Sequence, residues 1–495
     1  MDEITKRKLK QYYSIKNTSF VLDDITFNDL GLDKIFEDTL DKTSSSLGQE
    51  VLYGIIRCPL LDRDVILERE KTIEEYTKNF DKLSVLKKNL KNISKLRKIS
   101  IFEYLLKMNE APVLSFSNLY LPALLMLIGI ILLFFNPVVG IIALAGAYFF
   151  NAINYFKVKN KIQPYFLCLA YLSKATWEGN KIPSIDKSNY SKVAFLKYAH
   201  FLLGTISGET VNQGSGNPLD VFLDFFKMGF FVDIIRFSSL RKQVIDHQNE
   251  IFQYLEEVGL FDAYLSIAEL RTIDNRISIP VFDGNKLCIE NGIHPLLDNP
   301  VANTINTDMS ILLTGSNASG KSTFLRMIGL NVVFSQTIVS VWAHKYQAPL
   351  FRVVSSMSLS DDVIKGDSYY MAEIKAVKRI IDCAAIDNAP KVLCFIDEVL
   401  RGTNTKERIA ASTKILQYLQ NLTLCMAATH DIELTKLLED RFLNYHFNEE
   451  YSNDDILFDF KLKSGPADTT NAIKLLKKIG FPSEIVNEAE RMANL

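Results

Sequence analysis

Three features that would assign a protein to a class at once are missing from this sequence. Its 495 residues carry 56 Lys and Arg against 58 Asp and Glu. No overall basic excess therefore points to nucleic acid, and such an affinity would need a local patch. The six cysteines form no Cys-x-x-Cys pair and have no nearby histidines, which argues against a zinc site or a disulfide framework. The N-terminus is charged and lacks the apolar region of a signal peptide. We therefore expect the soluble parts to work in a reducing, cytosolic setting.

Charge is also missing from one internal stretch. Residues 111–156 contain no Asp, Glu, Lys, Arg or His. Within them, Phe116–Phe135 supplies 20 residues and Val138–Phe156 supplies 19, separated by Asn136-Pro137. Each segment is long enough to cross a hydrocarbon core of about 30 Å at about 1.5 Å per helical residue.

Cations flank both outer ends of this pair of segments. They are Lys95, Arg97, Lys98 and Lys107 before the pair, and Lys157, Lys159 and Lys161 after it. Two spans return both ends to one face of the membrane, and the excess of cations makes that face cytoplasmic. We therefore predict a transmembrane helical hairpin at residues 116–156, with the soluble domains on the cytoplasmic side. The alternative is a buried hairpin in a large apolar core or dimer interface, which would leave the protein cytoplasmic.

The spacing of apolar residues changes along the chain. On both sides of the hairpin, apolar residues recur at three- and four-residue spacing, which predicts helices. After about residue 277, short apolar runs bounded by turn residues alternate with helical stretches, which is typical of a layered α/β domain. We therefore predict four domains: a first helical part (1–110), the hairpin (111–156), a second helical part (157–276) and an α/β domain (277–495). Buried strands are predicted at Ser310–Thr314, Val392–Ile396 and Leu422–Ala427.

The first of these strands leads into a glycine-rich loop. It reads Gly315-Ser316-Asn317-Ala318-Ser319-Gly320-Lys321-Ser322 and is followed by Thr323. This matches G-x-x-x-x-G-K-[ST], in which the backbone turns tightly and presents N–H groups to phosphate oxygens. Lys321 can reach the β- and γ-phosphates, and the Ser322 hydroxyl can ligate Mg²⁺. The alternative is a chance glycine turn, but a preceding strand and a following helix favour the nucleotide site.

Two further strands end in residues that suit phosphate chemistry. Val392–Ile396 runs into Asp397 and Glu398. Asp397 is placed to hold Mg²⁺, and Glu398 is the candidate general base for the attacking water. The next strand ends at Thr429-His430, and His430 could contact the γ-phosphate. The alternatives are a solvated strand end and a structural histidine.

Together these residues resemble the MutS-like branch of the ABC ATPases. Gly315 to Thr323 is similar to the family's G-P-N-x-x-G-K-S-T, with Ser316 in place of proline. The other similar elements are His294-Pro295, the segment with Asp361, Asp362, Val363, Gly366, Ser368, Met371 and Glu373, and Asp397-Glu398 with Arg401-Gly402-Thr403. Tyr369-Tyr370 replaces a Thr-Phe pair, and Pro300 stands where the family has an aromatic that stacks on adenine.

The resemblance implies a P-loop ATPase domain of the ABC type over residues 277–495, which binds ATP with Mg²⁺ and forms a homodimer. In ABC-type dimers, each ATP lies between one subunit's P-loop and the other's signature segment. Ser368 is therefore expected to act in trans on the γ-phosphate. Catalytic roles are expected for Glu398, His430 and Lys321. The last helix, Ser483–Ala493, is expected to help hold the dimer.

The helical parts resemble the all-α core and lever region of MutS. Residues 43–52 are similar to the start of that core, and Tyr254–Leu270 is similar to its last helix. In the family, a mismatch-recognition domain with a Phe-x-Glu wedge precedes the core. Only about forty residues precede it here, without that tripeptide, so we expect this chain to lack the recognition domain.

Two functions remain open at this point. The first is a DNA-acting ATPase of the mismatch-repair type, with double-stranded DNA as its partner; the family resemblance favours it. The second is a membrane-anchored mechanochemical or scaffolding ATPase without mismatch recognition. The near-neutral charge and the apolar hairpin favour the second. A substrate transporter would need more than two spans per subunit.

Overall fold

The computed structural model of the chain describes residues 1–16, 18–197, 205–207, 210–212, 225–316, 319–357, 369–386, 389–400, 403–452, 455–467 and 479–493. The chain forms two compact units. The helical unit comprises Met1–Asn17, Leu40–Ile55 and Lys71–Thr272. The sheet unit comprises Thr18–Thr39, Ile56–Glu70 and Ile273–Leu495.

Helices dominate the first part of the chain. They are α1 (Glu3–Ile15), α2 (Asp24–Asp29), α3 (Leu32–Ile35), α4 (Ser46–Arg57), α5 (Arg63–Lys78), α6 (Phe80–Ser84), α7 (Lys87–Ile93), α8 (Ile101–Leu106), α9 (Phe116–Phe135), α10 (Pro137–Gly179), α11 (Lys187–Val193), α12 (Val232–Asp246) and α13 (Gln248–Ile273). A π-helical turn at Phe36–Leu40 and 3₁₀ turns at Lys107–Glu110 and Ala194–Leu196 accompany them. Two short antiparallel strands, β1 (Thr205–Ser207) and β2 (Thr210–Asn212), also occur here. The predicted helical character is confirmed, but a strictly all-α region is wrong because of this strand pair.

The apolar pair of segments forms two helices joined by a tight connection. Asn136 caps α10, because its side chain accepts hydrogen bonds from the N–H groups of Val138 and Val139. Pro137 occupies the first helical position, where a missing N–H costs nothing. The two helices pack closely, since a Cβ added to Gly140 would lie 2.5 Å from the backbone nitrogen of Leu133.

The second of these helices is longer than the predicted span. It runs unbroken for 43 residues, so the predicted domain boundary at residue 156 falls inside it. Its first half carries exposed apolar side chains, whereas residues 166–173 are buried. By length and composition, α10 is the one helix in the described part of the chain that is long and apolar enough to cross a membrane, and Leu119–Phe135 is a shorter apolar helix.

The sheet unit has the predicted α/β character. Its strands are β3 (Leu287–Gly292), β4 (Asn303–Thr307), β5 (Ser310–Thr314), β6 (Lys345–Gln347), β7 (Arg352–Ser356), β8 (Val392–Asp397), β9 (Thr423–Ala428), β10 (Phe442–Ser452) and β11 (Asp455–Ser464). Its further helices are α14 (Lys321–Thr337), α15 (Tyr369–Ala384), α16 (Thr405–Leu422), α17 (Glu433–Leu437) and α18 (Ser483–Ala493).

These strands form two sheets. The larger has the order β11-β10-β5-β9-β8-β7, with parallel pairing from β10 to β7 and an antiparallel β11 at its edge. The smaller is antiparallel, in the order β4-β3-β6. Strand β5 is buried along its whole length, and so is β9. Fully buried strands fit a parallel sheet covered by helices on both faces. The mixed sheet brings the carboxyl ends of β5, β8 and β9 to one edge.

Two segments from early in the chain belong to the sheet unit. Helix α2 packs beside β7, where the Asp29 carboxylate accepts hydrogen bonds from the Ser355 hydroxyl at 2.7 Å and the Met357 N–H at 2.8 Å. The Ser355 N–H donates to the Thr26 hydroxyl at 3.0 Å. Asp29 is 1% exposed, and a buried carboxylate needs such partners. The sequence division had placed these residues in the first helical part.

Candidate functional site

The glycine-rich loop lies between β5 and α14, as the motif requires. Gly315 and Gly320 have φ angles of 137° and 104°, a region that L residues with a side chain rarely adopt. A Cβ on Gly315 would lie 2.9 Å from the Ser319 hydroxyl oxygen and 3.0 Å from the Phe447 carbonyl oxygen. Both glycines are therefore required by the backbone. Asn317 and Ala318 lie outside the described residues.

Lys321 begins α14 and points back over the loop. Its Nζ donates to the carbonyl oxygens of Gly315 and Ser316, each at 2.7 Å, and lies 3.4 Å from His430 Nε2. The residue is 3% exposed. A buried ammonium group at the N-terminus of a 17-residue helix creates positive potential where a phosphate would bind.

Ser322 and Asp397 meet at the same edge of the sheet. The Ser322 hydroxyl donates a hydrogen bond to Asp397 Oδ2, at the end of β8. A hydroxyl and a carboxylate oxygen side by side are the kind of ligands that Mg²⁺ prefers. These two residues therefore fit the role of Mg²⁺ ligands. Thr323 follows them in α14.

Glu398 and His430 form a second pair beside the loop. Glu398 Oε1 lies 3.0 Å from His430 Nε2. Glu398 has a φ of 61°, and its N–H donates to the Ala428 carbonyl at 2.9 Å. A left-handed conformation costs a non-glycine residue energy and concentrates at functional sites. This conformation turns the chain after Asp397, so that the two neighbouring acids can serve different parts of the site.

One ion pair near His430 escaped the sequence analysis. Arg408, in α16, donates two hydrogen bonds to the Asp431 carboxylate, at 2.9 and 2.6 Å. The Asp431 N–H donates to the Thr429 hydroxyl at 3.0 Å. The bidentate geometry fixes the turn that carries His430. Arg408 lies 22 residues before His430 in the sequence, so local spacing gave no signal of this contact.

A cavity of about 420 Å³ opens beside the loop. It is lined by His294, Leu297, Asp298, Asn299, Val301, Asn303, Gly320, Lys321, Ser322, Thr323, Phe324, Met327, Phe447 and Phe460. Pro300, which occupies the expected stacking position, is not among the lining residues. The volume is typical of small-molecule sites.

Phe460 is the aromatic residue that covers the loop. A Cβ on Gly320 would lie 3.1 Å from its ring carbon Cδ1, and the ring is 42% exposed. The Asn303 side chain holds β11 in place by donating to the Phe460 carbonyl at 2.9 Å and accepting from the Leu462 N–H at 2.9 Å. An exposed ring beside phosphate-binding groups offers a stacking surface for a base.

His294 lines the same cavity and stays neutral near pH 7. Burial, with a smaller contribution from the Arg326 charge, lowers its pKa from 6.5 to about 4. The Leu296 N–H donates to His294 Nδ1 at 3.3 Å, so Nε2 carries the proton of the neutral ring. The ring therefore presents a hydrogen-bond donor without a charge.

The described residues include only the last part of the predicted signature segment. Asp361, Asp362, Val363, Gly366 and Ser368 lie outside the described residues, and so do Arg401 and Gly402. Met371 and Glu373 lie in α15, where Glu373 is 3% exposed. Within the described part of the chain, the loop residues, Asp397, Glu398 and His430 come together.

Loop, helix and strand ends together define an α/β domain with a glycine-rich loop between β5 and α14. Residues 311–495 match the family model of MutS domain V. The DNA mismatch repair protein MutS of Caldicellulosiruptor saccharolyticus is 29% identical over 274 residues, covering 52% of this chain and 31% of that protein. The MutS protein of Aquifex pyrophilus is 29% identical over 268 residues, with shares of 52% and 31%. That of Thermosipho melanesiensis is 26% identical over 531 residues, with shares of 96% and 64%.

The chain is therefore similar to MutS proteins, and over residues 311–495 it is similar to MutS domain V. It spans about a third of the length of the first two relatives and 64% of the third. The match to MutS domain V begins inside β5 and takes in the glycine-rich loop, Asp397, Glu398 and His430.

Proposed function

We propose that this chain binds and hydrolyses ATP in a homodimer and is tethered to a membrane by its apolar hairpin. The observation that carries the ATPase part is the convergence of Lys321, Asp397, Glu398 and His430 at one sheet edge. They come from the ends of two parallel strands, β8 and β9, and from the N-terminus of α14. The similarity of residues 311–495 to MutS domain V supports the same activity.

The loop would bind the phosphates of the nucleotide, and the cavity would bind its base. The phosphates would lie against the loop N–H groups and Lys321 Nζ, which would exchange its carbonyl partners for phosphate oxygens. Ser322 and Asp397 would hold Mg²⁺, which neutralises phosphate charge when bound. The base would enter the 420 Å³ cavity and stack on Phe460. Phe460 thereby takes the role for which Pro300 is unsuited.

Hydrolysis needs a base beside the γ-phosphate. Glu398 accepts the proton of the attacking water through its carboxylate, and His430 orients that carboxylate through the 3.0 Å contact. The Arg408–Asp431 pair keeps His430 in position. Water adds to the γ-phosphorus while the bond to ADP breaks, giving ADP and inorganic phosphate.

In the proposed homodimer, Ser368 would act in trans on the γ-phosphate bound by the partner subunit. Subunits carrying Lys321→Ala and subunits carrying Ser368→Arg are each expected to be inactive. Mixing them should form heterodimers with one intact composite site and restore part of the ATPase activity. Heterodimers that form but stay inactive would contradict sharing of the site.

DNA is the partner that the relatives' names suggest. The proposal is tested by the ATPase rate of the purified protein, alone and with homoduplex, mismatched or branched DNA. A DNA-acting ATPase is expected to respond to one of these, and its affinity should fall steeply with salt because phosphate contacts release counterions. A substantial ATPase rate that none of the three DNAs changes would instead support the membrane-anchored mechanochemical or scaffolding ATPase. No measurable ATPase activity would overturn both.

The exposure of the hairpin favours the membrane tether. Phe134 and Phe135 are 86% and 82% exposed, and Ile142 is 68% exposed. Contiguous exposed apolar surface marks a site of membrane or protein contact, and the absence of charge over residues 111–156 favours lipid. The flanking cations would put the soluble domains on the cytoplasmic side. The alternative, a cytoplasmic protein with a packed hairpin, predicts solubility without detergent.

A further inference from the structure

A short aromatic segment packs against the hairpin within the helical unit. It reads Phe225-Phe226-Lys227-Met228-Gly229-Phe230-Phe231, and we call it the aromatic segment. Residues 225–230 are helical. Phe225 and Phe226 are 51% and 45% exposed. The Phe225 ring lies 6.0 Å from the ring of Tyr148 in α10, so the exposed apolar surface of the hairpin continues onto this segment.

Asn151 joins the aromatic segment to both helices of the hairpin. From α10, its Nδ2 donates to the Pro122 carbonyl of α9 and to the Gly229 carbonyl, both at 2.8 Å. The side chain is fully buried; its Nδ2 makes both of its hydrogen bonds, whereas its Oδ1 has no hydrogen-bond partner among the described residues. Asn154, one turn later, donates only to Phe150 of its own helix and is exposed. Asn151 is therefore the residue that connects the three elements.

The position of this connection along α10 sets its depth. Asn151 is 14 residues beyond Pro137, which is about 21 Å along the helix at about 1.5 Å per residue. A hairpin that spans a hydrocarbon core of about 30 Å would carry Gly229 inside that core. Lys159 is 22 residues beyond Pro137, or about 33 Å along the helix, which is where the hydrocarbon ends.

Polar side chains lie at the C-terminal end of the aromatic segment, at the level of Lys159. Phe231, the last residue of the segment, has a φ of 56° and directly precedes α12. Its ring lies edge-on to Tyr155 at 5.6 Å. Asp233, in the first turn of α12, accepts hydrogen bonds from the Tyr155 hydroxyl at 2.5 Å and from Lys159 Nζ at 3.3 Å. The charged residues of α10 thus begin where the hairpin would leave lipid.

We propose that the aromatic segment is a third membrane-embedded element, inserted in the cytoplasmic leaflet beside the hairpin with Phe225 and Phe226 against acyl chains. This inference rests on the proposed membrane hairpin. The occupant of the exposed face is lipid, because the distance from the turn to Lys159 matches the thickness of a hydrocarbon core. Lys227 can extend its ammonium group to the headgroups.

The test is quenching of tryptophan fluorescence by acyl-chain-brominated lipid. Full-length protein is reconstituted into vesicles with tryptophan introduced by Phe226→Trp, by Phe134→Trp near the hairpin turn, or by Val85→Trp at a 72% exposed position outside both elements. The native Trp177 and Trp342 give the same background in each variant. We expect loss of the added emission for Phe226→Trp and Phe134→Trp, and none for Val85→Trp.

The outcomes separate the inference from the proposed tether. Quenching of Phe134→Trp without quenching of Phe226→Trp would overturn the inference and leave the tether intact. No quenching of either would overturn both. In the Phe226→Trp background, Asn151→Ala is expected to reduce the quenching, whereas the matched Asn154→Ala should not. Unchanged quenching with Asn151→Ala would overturn the role of Asn151 as the connection.

Discussion

Two apolar helices of this protein, one in each unit, contain the same residue types but differ in how far those side chains are buried. In α14 of the sheet unit, Leu325, Ile328 and Leu330 are fully buried. In α9 of the helical unit, Leu124, Leu127 and Ile131 are 52%, 50% and 55% exposed. Helix α14 lies against a sheet that covers it, whereas α9 and the first half of α10 chiefly cover each other. Apolar composition thus predicts that a helix is removed from water. Segment length and flanking charge indicate whether protein or lipid covers it.

The sharpest test of the sheet unit removes the cation that we propose binds phosphate. Lys321→Ala is expected to abolish detectable ATP binding, because the ammonium is the main side-chain charge facing the phosphates. Binding is measured by calorimetry or nucleotide fluorescence. Lys286→Ala, at a 61% exposed lysine of the same unit, should bind as the unsubstituted protein does. Equal affinity in both variants would refute the site.

Removing the general base should separate binding from turnover. Glu398→Gln keeps the side-chain shape and the contact to His430 but loses the proton acceptor. ATP should still bind, while hydrolysis falls by about 10²–10⁴ in a steady-state phosphate-release assay. The ATP-bound dimer should then accumulate on a sizing column. Glu433→Gln, at an exposed position in α17, is the matched control, and full turnover by Glu398→Gln would move the base elsewhere.

A charge placed in the hairpin tests the other side of the comparison. Phe149 is 70% exposed and lies about 18 Å along α10 from Pro137. In lipid, Phe149→Lys costs about 2.5–3.5 kcal/mol and should reduce the carbonate-resistant membrane fraction. In water the same change would be harmless. Val85→Lys, also at an exposed apolar residue, should leave that fraction unchanged, and equal fractions for both variants argue for a hairpin outside the membrane.

The smallest expected effect concerns protonation beside the cavity. The pKa of His294 is about 4 in the folded chain, against 6.5 ordinarily. Between these values the unfolded chain binds a proton that the folded chain does not, so the free energy of unfolding falls as the pH drops from 6.5 to 4. Chemical denaturation at pH 7 and pH 5 should show a smaller loss for His294→Gln than for the unsubstituted protein. The same change at the exposed His344 serves as a control, and equal losses in all three would contradict the assignment.

Local patterns predicted most of the elements that carry the candidate site. The strand Ser310–Thr314 has the predicted bounds, β8 is one residue longer than predicted, and β9 is shifted by one residue at both ends. The helix after the loop and the last helix, Ser483–Ala493, are also where the sequence places them. These elements depend on apolar periodicity, glycine turns and flanking residues, which are short-range properties. The second apolar segment was delimited less well, because α10 continues beyond residue 156 into a stretch in which residues 166–173 are buried within the protein.

The sequence by itself determined the glycine-rich loop, the acids after β8 and the charge-free hairpin, because each depends on neighbouring residues. Only the tertiary structure decided the partners. Asp29 caps the end of β7 across more than 320 residues of sequence, Phe460 reaches Gly320, Arg408 fixes the turn at His430, and Asn151 binds the Gly229 carbonyl. Such contacts depend on which buried polar groups become neighbours when distant segments pack, and a buried polar group accepts any partner of suitable geometry. The spacing of residues along the sequence therefore does not predict these contacts.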